Sequence, residues 1–294
     1  MRVGLHDSDA TGFPNLALMK LSAYHKSIGD TVEWWYPLMK CDRVYSSKVF
    51  TFTPENPYLP PNTIKGGTGY GNMSELPPKV EDMFPDYSIY PDCHYAIGFL
   101  TRGCIRNCPW CIVPKKEGAI RPYQGWLDIK RDDSRDIVFM DNNVLACEHG
   151  LEQMRDMIGK NVRVDFNQGL DARLMTEAKA DALGEIKVKE IHFAWDDYKQ
   201  GDSVLRGLEI YNKYAKRKPN GHNCIVYTLV NFDTTLDQDL ERIYTLRRLG
   251  FWAYVMIYDK PHAAPIYKKL QRWVNNRFVF AKCDDFNDYL KQTL

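Results

Sequence analysis

The amino-acid sequence predicts an α/β protein in which parallel sheets are covered by helices. After residue 93, apolar strand patterns alternate with amphipathic helix patterns through about six units. A shorter strand, helix, strand pattern stands at the N-terminus. Polar residues directly follow the apolar runs, as they do at the carboxyl ends of parallel strands. We therefore expect a small domain with its linker over residues 1–92 and a larger domain over residues 93–294.

The N-terminal part predicts a small Rossmann-like α/β domain. Short apolar or β-branched segments at residues 2–5, 31–36 and 44–53 predict strands. Between the first two, the apolar spacing predicts a helix that begins at Pro14 and ends at Gly29. A glycine-rich turn within residues 62–71 is compatible with phosphate binding, but the lack of a full nucleotide-binding pattern favours a plain loop. Residues 73–91 are rich in proline and predict a linker.

The larger part predicts repeated β/α units. Each apolar run is followed by a helix pattern with apolar residues on one face, and several helices end at a glycine. The segment 277–281 predicts one further strand at the end. The six main strands are predicted at 95–100, 136–140, 162–166, 189–195, 224–230 and 252–258.

Three cysteines dominate the loop after the first of these strands. Cys104, Cys108 and Cys111 stand at C-x3-C-x2-C spacing, with Trp110 just before the last one. In a shuffled chain of this composition about 0.006 such triplets are expected by chance. Three thiolates on one loop suit three irons of a [4Fe–4S] cluster and leave the fourth iron open.

This motif resembles the signature of the radical S-adenosylmethionine (radical SAM) superfamily, which also has an aromatic residue where Trp110 stands. The resemblance implies a partial (βα)6 TIM-type barrel, and the count of about six units agrees with it. It implies that Cys104, Cys108 and Cys111 bind a [4Fe–4S] cluster whose open iron binds S-adenosylmethionine (SAM). Reductive cleavage of SAM would then give a 5′-deoxyadenosyl radical that abstracts hydrogen from a substrate.

The resemblance also assigns residues that would bind SAM. They lie in the cysteine motif or at the ends of the later predicted strands. Carboxylate and amide oxygens accept from an ammonium group, and a guanidinium pairs with a carboxylate. The candidates are Trp110 for adenine; Asp141, Asn142 and Asn143 for the amino group; Arg173 for the carboxylate; Gln168 and Asp196 for the ribose; and Asn231 for adenine or substrate.

Two further residues are candidates for the chemistry itself. Tyr258 ends the sixth predicted strand and Cys224 begins the fifth, and either is able to donate hydrogen to a product radical. Core packing is the alternative interpretation of both side chains.

The N-terminal part resembles the cobalamin-binding-like domain that precedes the barrel in one branch of the superfamily. The likeness lies in the order of strand, helix and strand, followed by a Gly-Gly turn about 35 residues before the cysteines. The Asp-x-His-x-x-Gly motif of that domain, which ligates cobalt, is absent, since Leu5-His6-Asp7-Ser8-Asp9 does not match it. Cobalamin is therefore not expected.

Composition limits the partners. The formal net charge is +1, so bulk charge does not indicate nucleic acid, although a local basic patch would not appear in the total. No apolar run of about 18 residues predicts a membrane span, and the polar N-terminus does not predict a signal peptide. We expect a cytoplasmic enzyme, an electron donor such as a flavodoxin or ferredoxin, and a small-molecule or nucleotide substrate.

Three alternatives remain open from the sequence. The three cysteines with His94 or His149 form a possible Cys3His zinc site. A cobalamin-dependent radical methylase has the same overall layout. A binding protein that keeps the cluster without radical catalysis is the third alternative, because Asp141-Asn142-Asn143 departs from the Gly-Gly-Glu-type segment of the family.

Overall fold

The N-terminal region forms a four-stranded parallel sheet with the order β2-β1-β3-β4. A computed structural model describes residues 1–216, 219 and 223–292 of the chain. The strands are Arg2–Asp7 (β1), Thr31–Trp34 (β2), Arg43–Ser47 (β3) and Ile64–Gly66 (β4), and the helices are Leu16–Ser27 (α1) and Pro78–Glu81 (α2).

Local chemistry explains where the first elements begin and end. The side chain of Asn15 accepts a hydrogen bond from the N–H of Leu18, so α1 begins after Asn15, slightly later than the sequence predicts. The third strand is shorter than predicted and ends at Ser47. Residues 73–91 are not a plain linker, because α2 and the turn Tyr87–Ile89 pack against α1.

The larger region contains two three-stranded parallel sheets, with the orders β5-β8-β9 and β10-β11-β12. Parallel bridges from Val164 to Val188 and from Leu170 to Phe193 join β9 to the β10 side. A short antiparallel pair, β6 with β7, stands apart from these sheets. The strands are Ala96–Gly98 (β5), Thr101–Arg102 (β6), Arg121–Pro122 (β7), Asp136–Phe139 (β8), Arg163–Phe166 (β9), Ile191–Ala194 (β10), Cys224–Val230 (β11) and Trp252–Ile257 (β12).

Helices follow the strands of the larger region, as the alternating pattern predicts. The fold is therefore mixed α/β with parallel sheets, in agreement with the sequence at that level. The helices are Val113–Lys116 (α3), Trp126–Ile129 (α4), Glu148–Asp156 (α5), Glu177–Glu185 (α6), Gly201–Tyr214 (α7), Leu236–Arg248 (α8), Pro265–Asn275 (α9), Arg277–Lys282 (α10) and Phe286–Gln292 (α11).

The predicted strand at 277–281 is wrong, because this segment is helix α10. The side chain of Asn276 caps the helix by accepting from the N–H groups of Phe278 and Val279. Phe280 is buried against Trp273 of α9, with ring centroids 4.9 Å apart. The cap and the packing of Phe280 outweigh the aromatic and β-branched composition that favours a strand.

The two regions have separate hydrophobic cores. The larger core lies between the strands β5 to β12 and the helices that follow them. The smaller core lies between the N-terminal sheet and α1, and includes Val3, Leu5 and Leu18 with Val80 of α2. Among the described residues, no helix is both long enough and apolar enough to cross a bilayer.

Candidate functional site

Six strands of the larger region run in the same direction as their neighbours, namely β5, β8, β9, β10, β11 and β12. Their carboxyl ends therefore lie at one edge of the array. The loops that leave this edge carry the cysteines and most of the polar residues singled out in the sequence. In α/β proteins this edge is where ligands bind.

A small hairpin closes the cysteine loop at its base. β6 pairs with β7, and the N–H of Cys104 donates to the carbonyl of Gly118 at 3.1 Å. Gly103 has a φ of 80°, and a Cβ there would lie 2.2 Å from the carbonyl oxygen of Ala119. The loop therefore requires glycine at position 103 to fold back on itself.

Glu117 fastens the same loop through one carboxylate oxygen. Its Oε2 accepts from Arg102 Nε at 3.0 Å, from the N–H of Gly103 at 2.9 Å and from Asn142 Nδ2 at 2.9 Å. Asn142, a predicted ligand of the SAM amino group, thus joins the loop after β8 to the cysteine loop. Spacing alone gives no signal for the role of Glu117, because its partners come from two separate segments.

The three thiols of the motif are unpaired with any disulfide partner and half-buried. The sulfur of Cys104 accepts from the N–H of Arg106 at 3.3 Å and from Asn143 Nδ2 at 3.5 Å. Burial raises the pKa of the Cys108 thiol, and the positive charge of Arg173 opposes that rise. Burial also raises the pKa of Cys111. Burial therefore favours the neutral thiols at these two positions, while Arg173 near Cys108 and the two donors to Cys104 act in the opposite direction.

Asp171 organises the cations at this edge. It accepts from Arg106 Nε at 2.9 Å, and from Arg173 Nε at 2.6 Å and Arg173 Nη2 at 3.0 Å. Burial acts to raise the pKa of Asp171, but the hydrogen bonds and charges of the two arginines outweigh it and the pKa is lowered. The ionised carboxylate therefore holds Arg173, the predicted partner of the SAM carboxylate, next to the cysteine loop.

Asn143 is nearly fully buried between these groups, with 3% of its surface exposed. Its Nδ2 lies 3.5 Å from the sulfur of Cys104 and 3.4 Å from Asp171 Oδ2. Its Oδ1 has no hydrogen-bond partner within the described part of the chain. A buried amide oxygen without a partner is costly, which marks the position as one that a ligand donor would satisfy.

Asp141 has a different neighbourhood from its predicted one. It is buried and accepts from the N–H of Leu100 at 3.0 Å and from the N–H and hydroxyl of Thr101 at 2.5 and 2.7 Å. Burial raises its pKa to about 6 despite these donors. Both carboxylate oxygens thus hold the start of the cysteine loop.

An aromatic contact chain borders the site on its other side. Trp110 meets Phe232 edge to face at 5.0 Å, and Phe232 meets Tyr258 in the same way at 4.7 Å. Asn231 has a φ of 65° and its Nδ2 donates to the carbonyl of Tyr258 at 3.0 Å. The structure thus brings the predicted residues Trp110, Asn231 and Tyr258 together through Phe232, which the sequence pattern does not single out.

Asp196 lies close enough to interact with Arg173 and with Cys108 and Cys111. Its Oδ1 accepts from the N–H of Leu229 at 3.1 Å, and burial raises its pKa to about 6. The predicted ribose ligand therefore lies between the cysteine loop and the end of β11.

A buried ion pair on α8 supports the same strand ends. Arg242 and Asp239 are both 0% exposed, and Arg242 Nη2 lies 2.5 Å from Asp239 Oδ1. Arg242 also donates to the carbonyls of Trp195 at 2.7 Å and Leu229 at 2.6 Å. The pair fixes the ends of β10 and β11, although an i, i+3 charge pair looks like surface in the sequence.

Two predicted residues are not part of this assembly. Gln168 is exposed after β9 and makes no side-chain hydrogen bond within the described part of the chain. Cys224 begins β11, so it stands at the amino end of the array, opposite the cysteine loop. Its thiol is fully buried near the hydroxyl of Tyr211 on α7, at 3.8 Å. The placement of Cys224 therefore supports the core-packing alternative.

His192 and Asp165 form a buried polar group on the face of the larger array that is turned away from the helices. Phe193 packs on α7, so its neighbour His192 points to the opposite face. There His192 stacks on Tyr227 at 5.3 Å, and its Nδ1 lies 3.6 Å from Asp165 Oδ1. Neither of these two atoms has a hydrogen-bond partner in the described residues.

A single-ion metal site is not preformed. The described residues contain no group of three or more His, Cys, Asp or Glu side chains placed to hold one metal ion. His149 Nε2 instead lies 3.0 Å from the carbonyl of Gln124, and His94 is exposed.

Comparison with known proteins gives a likeness of fold. A scan against protein-family models gives no match for this chain, and a search of curated proteins gives none. Among solved structures, the radical S-adenosylmethionine methyltransferase TsrM from Kitasatospora setae, with cobalamin and a [4Fe-4S] cluster bound, is similar with a TM-score of 0.59 and 11% identity. The match covers 87% of this chain and 74% of that one. The chain therefore shares the fold of that enzyme.

Proposed function

We propose that this protein is a radical SAM enzyme that binds a [4Fe–4S] cluster through Cys104, Cys108 and Cys111. The observation that carries the proposal is the cysteine loop itself. It holds three free, half-buried thiols at the carboxyl edge of the parallel array, beside Asn143 and Arg173. The fold shared with a radical SAM methyltransferase supports it.

The larger region is then interpreted as a partial (βα)6 TIM-type barrel over residues 93–294, with residues 1–92 as a separate small domain. The two bridges between β9 and the β10 side support one continuous parallel array. The separate hydrophobic cores support the division into two domains. In this arrangement the cysteine loop lies at the mouth of the barrel, where catalytic groups collect.

When bound, the cluster would supply the electron that cleaves SAM into methionine and a 5′-deoxyadenosyl radical. The protein's residues would hold the sulfurs and orient SAM. The N–H of Arg106 and the amide of Asn143 donate toward Cys104, which stabilises negative charge on the sulfur. Glu117 and Asp141 hold the two ends of the loop in place.

The contacts narrow the assignment of the SAM ligands. Both carboxylate oxygens of Asp141 accept from the cysteine loop, and the Nδ2 of Asn142 donates to Glu117. The Oδ1 of Asn143 is buried and has no partner among the described residues. We therefore assign the SAM ammonium to Asn143 and the SAM carboxylate to Arg173. Trp110 would contact the adenine, and Asp196 or Gln168 the ribose. Tyr258, at the end of the aromatic chain, remains the candidate hydrogen donor.

The proposal includes a substrate, an electron donor and a compartment. A small molecule or nucleotide is the expected substrate, and a flavodoxin or ferredoxin the expected electron donor. The eight free cysteines suit a reducing compartment such as the cytoplasm. The structural neighbour binds cobalamin, so the expectation that this chain lacks cobalamin has no support from the comparison.

The test is anaerobic reconstitution with iron and sulfide, followed by incubation with SAM and dithionite. We expect about four irons and four sulfides per chain, and formation of 5′-deoxyadenosine. Cys108→Ser should abolish both results. Cys41→Ser is the matched control, because Cys41 is also a free, partly exposed thiol but lies in the N-terminal region.

Other outcomes separate the alternatives. One bound zinc without sulfide would favour the Cys3His site and contradict the proposal. A cluster that forms but never cleaves SAM under any reductant would favour a binding protein. Retention of cobalamin during reconstitution, together with methyl transfer, would instead identify a cobalamin-dependent methylase.

A further inference from the structure

A basic groove runs along the free edge of β12, outside the site described above. β12 pairs with β11 on one side only, within the described strands. On its other side, Asn275 and Gln271 of α9 hydrogen-bond to the backbone of Val255. These two amides satisfy the N–H and the carbonyl of Val255, and a shallow cavity of about 730 Å³ lies beside them.

Positive charge is concentrated around this groove. Residues 252–282 contain six Lys or Arg residues and one Asp, although the whole chain has a net charge of only +1. Lys260, Lys268 and Arg272 line the cavity, and none of them has an ion-pair partner in the described part of the chain. Arg277 also lines it and reaches Glu190 at 3.5 Å. The groove therefore presents cations that the protein does not neutralise.

Aromatic rings line the same groove as these cations. Trp252, Tyr254 and Phe278 line the same cavity. Phe278 is 83% exposed and Tyr254 is 38% exposed, so both rings are open to solvent. The guanidinium of Arg277 lies 4.1 Å from the ring centre of Trp252, which orients it across the groove. Single exposed rings are common on protein surfaces, so the feature that distinguishes this groove is the combination of rings with unpaired cations in one cavity.

We propose that this groove binds single-stranded nucleic acid. Cations that follow a backbone, together with aromatic rings on which bases stack, are the means by which proteins bind single strands without base readout. The groove extends along β12. Lys260 follows the C-terminal end of this strand, and Arg277 lies against Trp252 at its N-terminal end. Six strand residues span about 20 Å, enough for several nucleotides. Low net charge does not oppose this, because the charge is local.

The groove also reaches the candidate active site. Lys260 is two residues after Tyr258 in the sequence. Tyr258 contacts Phe232, and Phe232 contacts Trp110 of the cysteine motif. Binding, however, needs only the charges and rings of residues 252–278 and no cluster. It is therefore testable on protein without iron, and its failure would leave the proposed SAM chemistry standing.

The experiment is fluorescence anisotropy of a labelled 12-nucleotide single strand, as RNA and as DNA, titrated with cluster-free protein between 50 and 300 mM KCl. Three to four phosphate contacts predict a slope of log K against log salt of about −2 to −3. The double variant K268E/R272E should bind at least tenfold more weakly. F278A should lose about tenfold while keeping the salt slope, because it removes stacking rather than charge.

The matched control is K160E/R206E, which makes the same change of charge at two exposed residues outside the groove. It should bind within about twofold of the native protein. Equal losses in the control and the groove variant would overturn the proposal. So would a duplex that binds as tightly as the single strand, or binding of anionic phosphatidylserine vesicles without binding of the oligonucleotide. Circular dichroism confirms that each variant is folded.

Discussion

The N-terminal sheet and the larger parallel array have the same kind of edge but use it differently. At the carboxyl end of the N-terminal sheet, the polar side chains satisfy one another. Ser46 Oγ lies 2.9 Å from His6 Nδ1 and 2.8 Å from the hydroxyl of Tyr70, and Ser8 Oγ also lies 2.8 Å from that hydroxyl. Asn56 Nδ2 reaches His6 Nε2 at 3.2 Å. This edge is closed by its own hydrogen bonds.

The edge of the larger array is left incomplete. The buried Oδ1 of Asn143 has no partner in the described residues. Three half-buried free thiols lie on one loop, and burial raises the pKa of Asp196 to about 6. Polar groups that a fold buries without satisfying are costly, so they persist where a ligand completes them. A parallel edge alone therefore does not identify a site, whereas unsatisfied polar groups at that edge do.

The largest expected loss of stability comes from breaking the buried ion pair of Arg242 and Asp239, which supports the carboxyl edge of the larger array. Arg242→Met should cost about 3–5 kcal/mol in free energy of unfolding, because it leaves Asp239 charged and buried without its partner. The carbonyls of Trp195 and Leu229 lose their donors as well. Urea unfolding of the cluster-free protein measures the loss.

The control for this change is the exposed pair of Lys199 and Asp233 at the same edge. Lys199→Met should cost under about 1 kcal/mol, since exposed pairs contribute little. The double variant D239N/R242M should recover part of the loss, because it removes both charges. If R242M were as harmless as K199M, the buried pair would not be what holds the strand ends.

The second prediction concerns how the stability of the larger region depends on pH through Asp141. The pKa of Asp141 is about 6 in the folded protein, against about 3.9 in an unfolded chain. Between those values the folded state binds more protons, so the free energy of unfolding falls as pH rises from about 4 to 6, by up to about 3 kcal/mol. Asp141→Asn should remove this contribution and flatten the profile in that window, as measured by urea unfolding at a series of pH values.

Asp132→Asn serves as the control, because the Asp132 side chain is fully exposed. Its profile should follow that of the native protein. Asp196, whose pKa is also about 6, keeps part of the slope in the Asp141 variant. Parallel profiles for D141N and the native protein would contradict the assigned role of burial.

Features coded by nearby residues were predictable from the sequence, and features coded by distant ones were not. Apolar periodicity and the spacing of Cys104 and Cys108 are local, so the strand and helix alternation and the candidate motif were accessible. The pairing of Glu117 with Asn142 and the contact of Trp110 with Phe232 join separate segments, which no local pattern records. The helix at 277–282 was missed because its cap and packing outweigh its composition.

The smallest effect is expected at the closed edge of the N-terminal sheet. Ser46→Ala removes the hydroxyl shared by His6 and Tyr70, but Ser8 still lies within hydrogen-bond distance of both. The loss in free energy of unfolding should therefore be about 1 kcal/mol. Iron content and 5′-deoxyadenosine formation should not change, because no member of this network touches the cysteine loop. Ser74→Ala, at an exposed serine, provides the baseline. A fall in SAM cleavage without loss of stability in the Ser46 variant would show that the closed edge takes part in function, and the contrast between the two edges would fail.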